Sequence, residues 1–193
     1  NIQLIGYEFV RFDAIYASID DEVVGVAIAE CPVKDNPLFA YLEVFVLPSH
    51  RRQGVGSALL SGLENRCRED GRSVMLAETL RAVDADSSTG AEFFKAHGFR
   101  LDTLIGQREC EIPASLQEPV VPEGFELASW RGSPPDAWID QYARLRALLN
   151  QEAPSGETNF ENEYWDPARL RSEADQWHRQ RRTALTVVAV AAD

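Results

Sequence analysis

The stretch Tyr41-Leu-Glu-Val-Phe-Val-Leu-Pro-Ser-His-Arg-Arg-Gln-Gly-Val-Gly-Ser-Ala-Leu-Leu60 carries an apolar strand through Pro48 into a basic, glycine-punctuated turn that opens an amphipathic helix. That order builds an anion site. The first amides of a helix lack intrahelical acceptors and sit at the positive end of its dipole. Gln53, Gly54, Val55, Gly56 and Ser57 therefore aim N–H groups at a phosphate, Gly54 and Gly56 keep the approach open, and Arg51 or Arg52 adds charge from the side. Each charge-assisted hydrogen bond of this kind contributes about 1.5–3 kcal/mol, so three or four hold a pyrophosphate.

Other phosphate loops fail on the same residues. No Lys followed by Ser or Thr comes after the glycines, as an NTP-binding loop requires, and the dinucleotide pattern G-x-G-x-x-G breaks because position 59 is Leu. What stands is Arg51-x-x-Gly54-x-Gly56. This spacing resembles the acetyl-CoA signature R/Q-x-x-G-x-G/A of the GCN5-related N-acetyltransferases, the GNAT superfamily.

The flanks agree with the resemblance. Residues 11–19, 23–30 and 39–47 read as three strands, rich in β-branched and aromatic residues and separated by Asp20-Asp21 and by the Pro32 to Pro37 connection. Val55, Leu59, Leu63 and Cys67 recur every four residues, so the helix buries one face until Asp70-Gly71 stops it. Residues 73–80 read as a buried strand. Gly90-Ala-Glu-Phe-Phe-Lys-Ala-His-Gly-Phe99 resembles the second GNAT landmark, a short helix ending in Gly-Phe before the next strand. The fold class is α/β (α+β): the GNAT fold, a mixed, mostly antiparallel sheet with helices on both faces.

Composition narrows the partners. The chain has 193 residues, 45% of them apolar, and a formal net charge of −12. That charge argues against nucleic acid or an anionic membrane. A cationic small molecule suits it better, although a solvated acidic surface explains the same residues. No segment approaches the roughly 18 continuous apolar residues of a membrane span and none resembles a signal peptide, so the expectation is a cytoplasmic protein. Cys31, Cys67 and Cys110 have no C-x-x-C spacing and read as buried reduced thiols. His50, His97 and His178 show no metal spacing, so no metal is expected; His50 adjoins the phosphate turn.

The ends alter the domain reading. Residues 1–113 resemble a GNAT acetyl-CoA-binding core without its first strand and two helices. Residues 114–123, with Pro119 and Pro122, read as a linker. Residues 124–193 read as strand (125–130), helix (135–150), helix and strand (183–191), with Asp166 capping the second helix and Pro167 at its first position. That order, with the segment 150–165, resembles the start of the second half of actinobacterial tandem-GNAT proteins, the two-domain architecture shared by mycothiol synthase. The chain then reads as an excerpt: most of one GNAT domain, a linker and the first third of another. Trp138, Tyr142 and Trp177 are too apolar for a free arm, so residues 124–193 either dock on the first domain or swap with another copy in a homodimer.

The resemblance implies roles position by position. Phe45 and Val46 lie on the strand that splays from its neighbour and pairs its backbone with pantetheine. Arg51, Arg52, Gln53, Gly54, Val55, Gly56 and Ser57 take the pyrophosphate. Glu43 stands where a carboxylate removes a proton from the incoming amine through water; its other reading is a cross-strand partner for Arg or Lys. The second landmark departs from the family: Phe94 replaces the Tyr that protonates the leaving thiolate, and Ser87 replaces the usual Asn. A phenyl ring donates no proton. Two functions stay open, an acetyl-CoA-dependent N-acyltransferase acting on a small-molecule amine, and a catalytically degenerate acyl-CoA-binding half of a tandem protein.

Overall fold

The structure is a computed structural model and describes residues 8–112, 115, 118–152 and 156–191, the side chain of Asn150 excepted. The first seven residues, Ala153-Pro154 and part of the expected linker lie outside them. Two compact units emerge: Asn1–Leu101 with Asn159–Glu163, and Asp102–Thr158 with Tyr164–Asp193.

In the first unit, β1 (Val10–Ile19), β2 (Glu22–Pro32) and β3 (Phe39–Val46) form an antiparallel meander, and β4 (Val74–Ala77) joins β3 in parallel. Asp20 and Asp21 both have positive φ, 49° and 65°, the backbone of a tight hairpin that follows the strand twist. Helix α1 (Val55–Glu69) buries Leu59, Leu60, Leu63 and Cys67 against Ala27, Ala29, Cys31, Ala40 and Leu42 of the sheet. The small alanines let the helix backbone lie close, and each buried Leu contributes about 1.5–3 kcal/mol. The helix stops at Asp70, whose N–H bonds back to Arg66, before Gly71 turns at φ +79°. Phe93, Phe94 and Phe99, from α2 (Thr89–Ala96) and the residues after it, pack on the same core.

Two elements differ from expectation. The strand foreseen over 73–80 is limited to Val74–Ala77, which pairs with 39–42 alone. The strand expected after Gly98-Phe99 does not form: residues 100–112 carry no helix or strand, and Leu101, Leu104 and Ile105 are exposed. Apolar residues make a strand only where an unpaired edge takes their backbone hydrogen bonds.

A distant segment completes the first unit. Phe160 stacks on Phe39 at 5.0 Å, and Glu161 clasps Asn36 in the β2–β3 turn. In the second unit, β5 (Phe125–Arg131) pairs antiparallel with β6 (Leu185–Ala191), and α3 (Ile139–Glu152) and α4 (Pro167–Arg179) lie between them in the chain. Asp166 caps α4 by accepting from the Arg169 amide at 2.7 Å, with Pro167 first in the helix. Helix α3 begins later than the expected 135, because Pro135 instead closes a turn with the Trp138 amide. Ile139, Ala143 and Leu170 form that unit's buried cluster, flanked by Tyr142 and Trp165.

Candidate active site

The backbone between β3 and α1 makes one 3-10 turn at Pro48–His50, then adopts positive φ at Arg52 (61°) and at Gly54 (86°), the residue before the helix. No side chain caps α1. Its first internal bond runs from the Ala58 amide to the Gly54 carbonyl at 3.0 Å. Among the described residues, the amides of Gln53, Gly54, Val55, Gly56 and Ser57 have no acceptor. Five unpaired donors at the positive end of a 15-residue helix form a cradle for an anion.

The two glycines do different work. A Cβ at Gly54 would meet nothing within 4 Å, and the left-handed backbone accounts for the glycine. A Cβ at Gly56 would lie 3.2 Å from Phe93 Cε2 and 3.6 Å from Val46 Cγ2. Gly56 thus admits Phe93 of α2 at close range. Arg51 and Gln53 are also committed inside the turn. Arg51 Nε donates to the Val46 carbonyl at 3.0 Å and Gln53 Nε2 to the Ser49 carbonyl at 3.1 Å. Arg52 is exposed.

Beyond Leu42, β3 pairs with β2 only, so a gap opens between β3 and β4 toward the turn. The Leu47 amide bonds to the Val24 carbonyl, and antiparallel pairs alternate between bonded and unbonded. Phe45, opposite Val26, therefore uses its backbone groups on β2, and those of Val44 and Val46 face the gap. The backbone groups of Phe45, expected at the pantetheine, are thus turned to β2.

Glu43 is exposed, and its neighbour across β2 is Ile28, so the cross-strand ion pair is not formed among the described residues. The same sheet face carries Glu30 and Tyr41, which oppose each other. Burial, then the charge of Glu43, pushes the Glu30 carboxyl up. Burial, then Glu163 and Glu30, pushes the Tyr41 hydroxyl up. Among the described residues no three His, Cys, Asp or Glu side chains are grouped as metal ligands, and no helix is long and apolar enough to cross a membrane.

In the second landmark, Ser88 caps α2 by accepting from the Ala91 amide, and Ser87 Oγ donates to Glu92. Phe94 packs edge-on against Phe93 at 5.2 Å and Phe99 at 4.9 Å. His50, within the turn, bonds to Ser49, and a second histidine, His97, reaches the start of α1. His97 Nε2 lies 2.9 Å from Ser57 Oγ, and Nδ1 lies 2.8 Å from the Phe93 carbonyl. The sequence carried no signal for this contact, because residues 57 and 97 meet only through the packing of α2 on α1.

Residues 11–101 match the family model described as an acetyltransferase (GNAT) domain. Over 136 residues the chain is 27% identical to the mycothiol acetyltransferase of Salinispora arenicola (strain CNS-205), covering 70% of this chain and 38% of that protein. A solved tandem GNAT protein from the clavulanic acid biosynthesis pathway overlays 96% of this chain and 56% of its own, with TM-score 0.64 and 20% identity. An aminoglycoside N-acetyltransferase solved in complex with CoA overlays 51% of this chain and 77% of its own, with TM-score 0.42 and 22% identity. The chain thus spans well under two thirds of the mycothiol acetyltransferase it resembles.

Proposed function

We propose that the first unit binds acetyl-CoA, with its diphosphate on the amides of residues 53–57, and passes the acetyl group to a small-molecule amine. The observation that carries this reading is the row of unpaired amides at the start of α1, beside the gap where β3 leaves β4. A Cβ at Gly54 would meet nothing within 4 Å, so the turn is open on that side to a diphosphate. Val44 and Val46 offer the backbone groups that pair with the pantetheine amides. Resemblance to a mycothiol acetyltransferase supports a small acceptor.

The chemistry follows from these groups. The amine lone pair attacks the thioester carbonyl, whose oxygen is polarised by the Val46 N–H, and the C–S bond breaks as the C–N bond forms. Glu43, through a water molecule, takes the proton that the amine loses. The thiolate leaves as the anion and is protonated by solvent, because Phe94 has no proton to give. The second unit, strand-helix-helix-strand in order, reads as the opening of a second GNAT domain, and the overlay with a tandem GNAT protein supports that reading.

One observation favours a second function. Phe94 is packed between Phe93 and Phe99, so this unit lacks the usual acid and instead holds acyl-CoA as a regulatory half. Calorimetry with CoA, paired with turnover of acetyl-CoA against a panel of amines, separates the two. Binding with turnover that Glu43→Gln lowers about 10²–10⁴-fold supports the enzyme. Binding without turnover in the full-length protein supports the regulatory half, and no binding rejects both.

A further inference from the structure

Resting on the coenzyme reading above, we infer that His97 is a proton-dependent positioning residue for the diphosphate: its protonation releases the Ser57 hydroxyl hydrogen, otherwise donated to the ring, toward the anion. Ser57 is the third residue of α1, on the same turn as the unpaired amides. The Phe93 carbonyl can only accept, so His97 Nδ1 carries hydrogen. In the neutral ring Nε2 must then accept, and the single Ser57 hydroxyl hydrogen is committed to it at 2.9 Å. Only oxygen lone pairs are left to face an arriving phosphate.

Protonation reverses this. Nε2–H donates to Ser57 Oγ, the hydroxyl hydrogen is released toward the phosphate, and Nδ1–H keeps its bond to Phe93. The Phe93 ring, 4.4 Å from the imidazole, and that carbonyl hold the ring in place in both states. The surrounding charges set the direction. The first turn of α1 has no acidic residue, and the loop before it contributes Arg51 and Arg52, the former held on the Val46 carbonyl. On α2, Glu92 is engaged by Ser87, and Lys95 is basic. A bound diphosphate is thus the negative group that makes the protonated ring favourable, and its binding takes up a proton.

The probe is dephospho-CoA, which lacks the 3′-phosphate that titrates in the same range. Calorimetry near about pH 7, in two buffers of different ionisation enthalpy, counts the protons taken up on binding. Wild-type protein takes up a fraction of a proton, and its Kd tightens several-fold from about pH 8 to about pH 6. His97→Gln still binds, without uptake and with a flat pH profile, and Ser57→Ala loses the pH dependence. Absence of uptake by the wild type overturns the inference even where a variant fails to fold, and so does equal uptake by His97→Gln. Failure of the wild type to bind at any pH instead rejects the coenzyme reading itself.

Discussion

Asn36 and Glu161, 125 residues apart, clasp each other by two bonds to the Glu161 main chain and one to its side chain. The Glu161 amide donates to Asn36 Oδ1 at 2.7 Å, Asn36 Nδ2 donates to the Glu161 carbonyl at 3.1 Å, and the Asn36 amide donates to Glu161 Oε2 at 3.2 Å. Asn36 is buried and sits at φ +53°, a backbone that Asn tolerates better than most residues. Asn36→Ala leaves the Glu161 amide and carbonyl without these partners. It lowers the stability of the first unit by about 2–4 kcal/mol, read from the denaturant midpoint, and Asn36→Asp is no rescue, because its second oxygen faces the Glu161 carbonyl where Nδ2 donated. A loss below about 0.5 kcal/mol for the alanine variant would mean that the clasp contributes nothing.

Arg72 Nη1 donates to the carbonyls of Pro32, Pro37 and Phe39, and its Nε meets Asp70 at 2.9 Å. Replacing this buried guanidinium by Met strands three carbonyls and costs about 3–5 kcal/mol, measured by chemical denaturation.

Hydrogen bonding from Arg11 first, with Arg72 adding to it, holds the Asp70 carboxyl below the usual carboxylate range. A depressed folded value means that the unfolded chain takes up the proton first. Stability from this group is therefore complete above about pH 4 and is lost as pH falls through the lower folded value. The gap in midpoint between wild type and Asp70→Asn stays constant at neutral pH and closes in acid. A gap that persists undiminished into strong acid contradicts this account.

Gly54→Ala and Gly56→Ala separate backbone strain from packing. The first meets open space at φ +86° and costs about 1–2 kcal/mol. The second drives a methyl toward Phe93 and Val46, costs about 1–3 kcal/mol, and displaces α2 from the turn. Melting temperatures fall for both, and amide shifts around Phe93 and His97 move only for Gly56→Ala.

Burial pushes the Cys67 thiol up to about 11 and raises Cys31 as well, while Cys110 is exposed. Since the thiolate is the reacting form, a thiol reagent at neutral pH labels Cys110 quickly and the other two only at the rate of opening. Because the Cys67 value is raised on folding, its contribution to stability is present below about pH 8.5 and is lost as pH rises through about 11. Three equally fast thiols in native protein would show that this core is open.

The local chemistry of the chain determined its strand meander, the anion-seeking turn and the caps of its helices. Alternating apolar residues, Asp20-Asp21, Gly54, Asp70-Gly71 and Asp166-Pro167 act through their own dihedrals and nearest amides, so the sequence alone exposes them. The family resemblance likewise rested on residues next to each other in the chain. Tertiary structure decided what those residues face. Packing turned Gly56 toward Phe93, brought His97 to Ser57, fastened Glu161 to Asn36, and through strand pairing directed Val44 instead of Phe45 into the gap beside β4. It also withheld a strand from residues 100–112. The reason is reach: a cap or a turn is closed by atoms a few bonds away. A contact between residues 40 or 125 positions apart exists only once separate elements have been placed against one another.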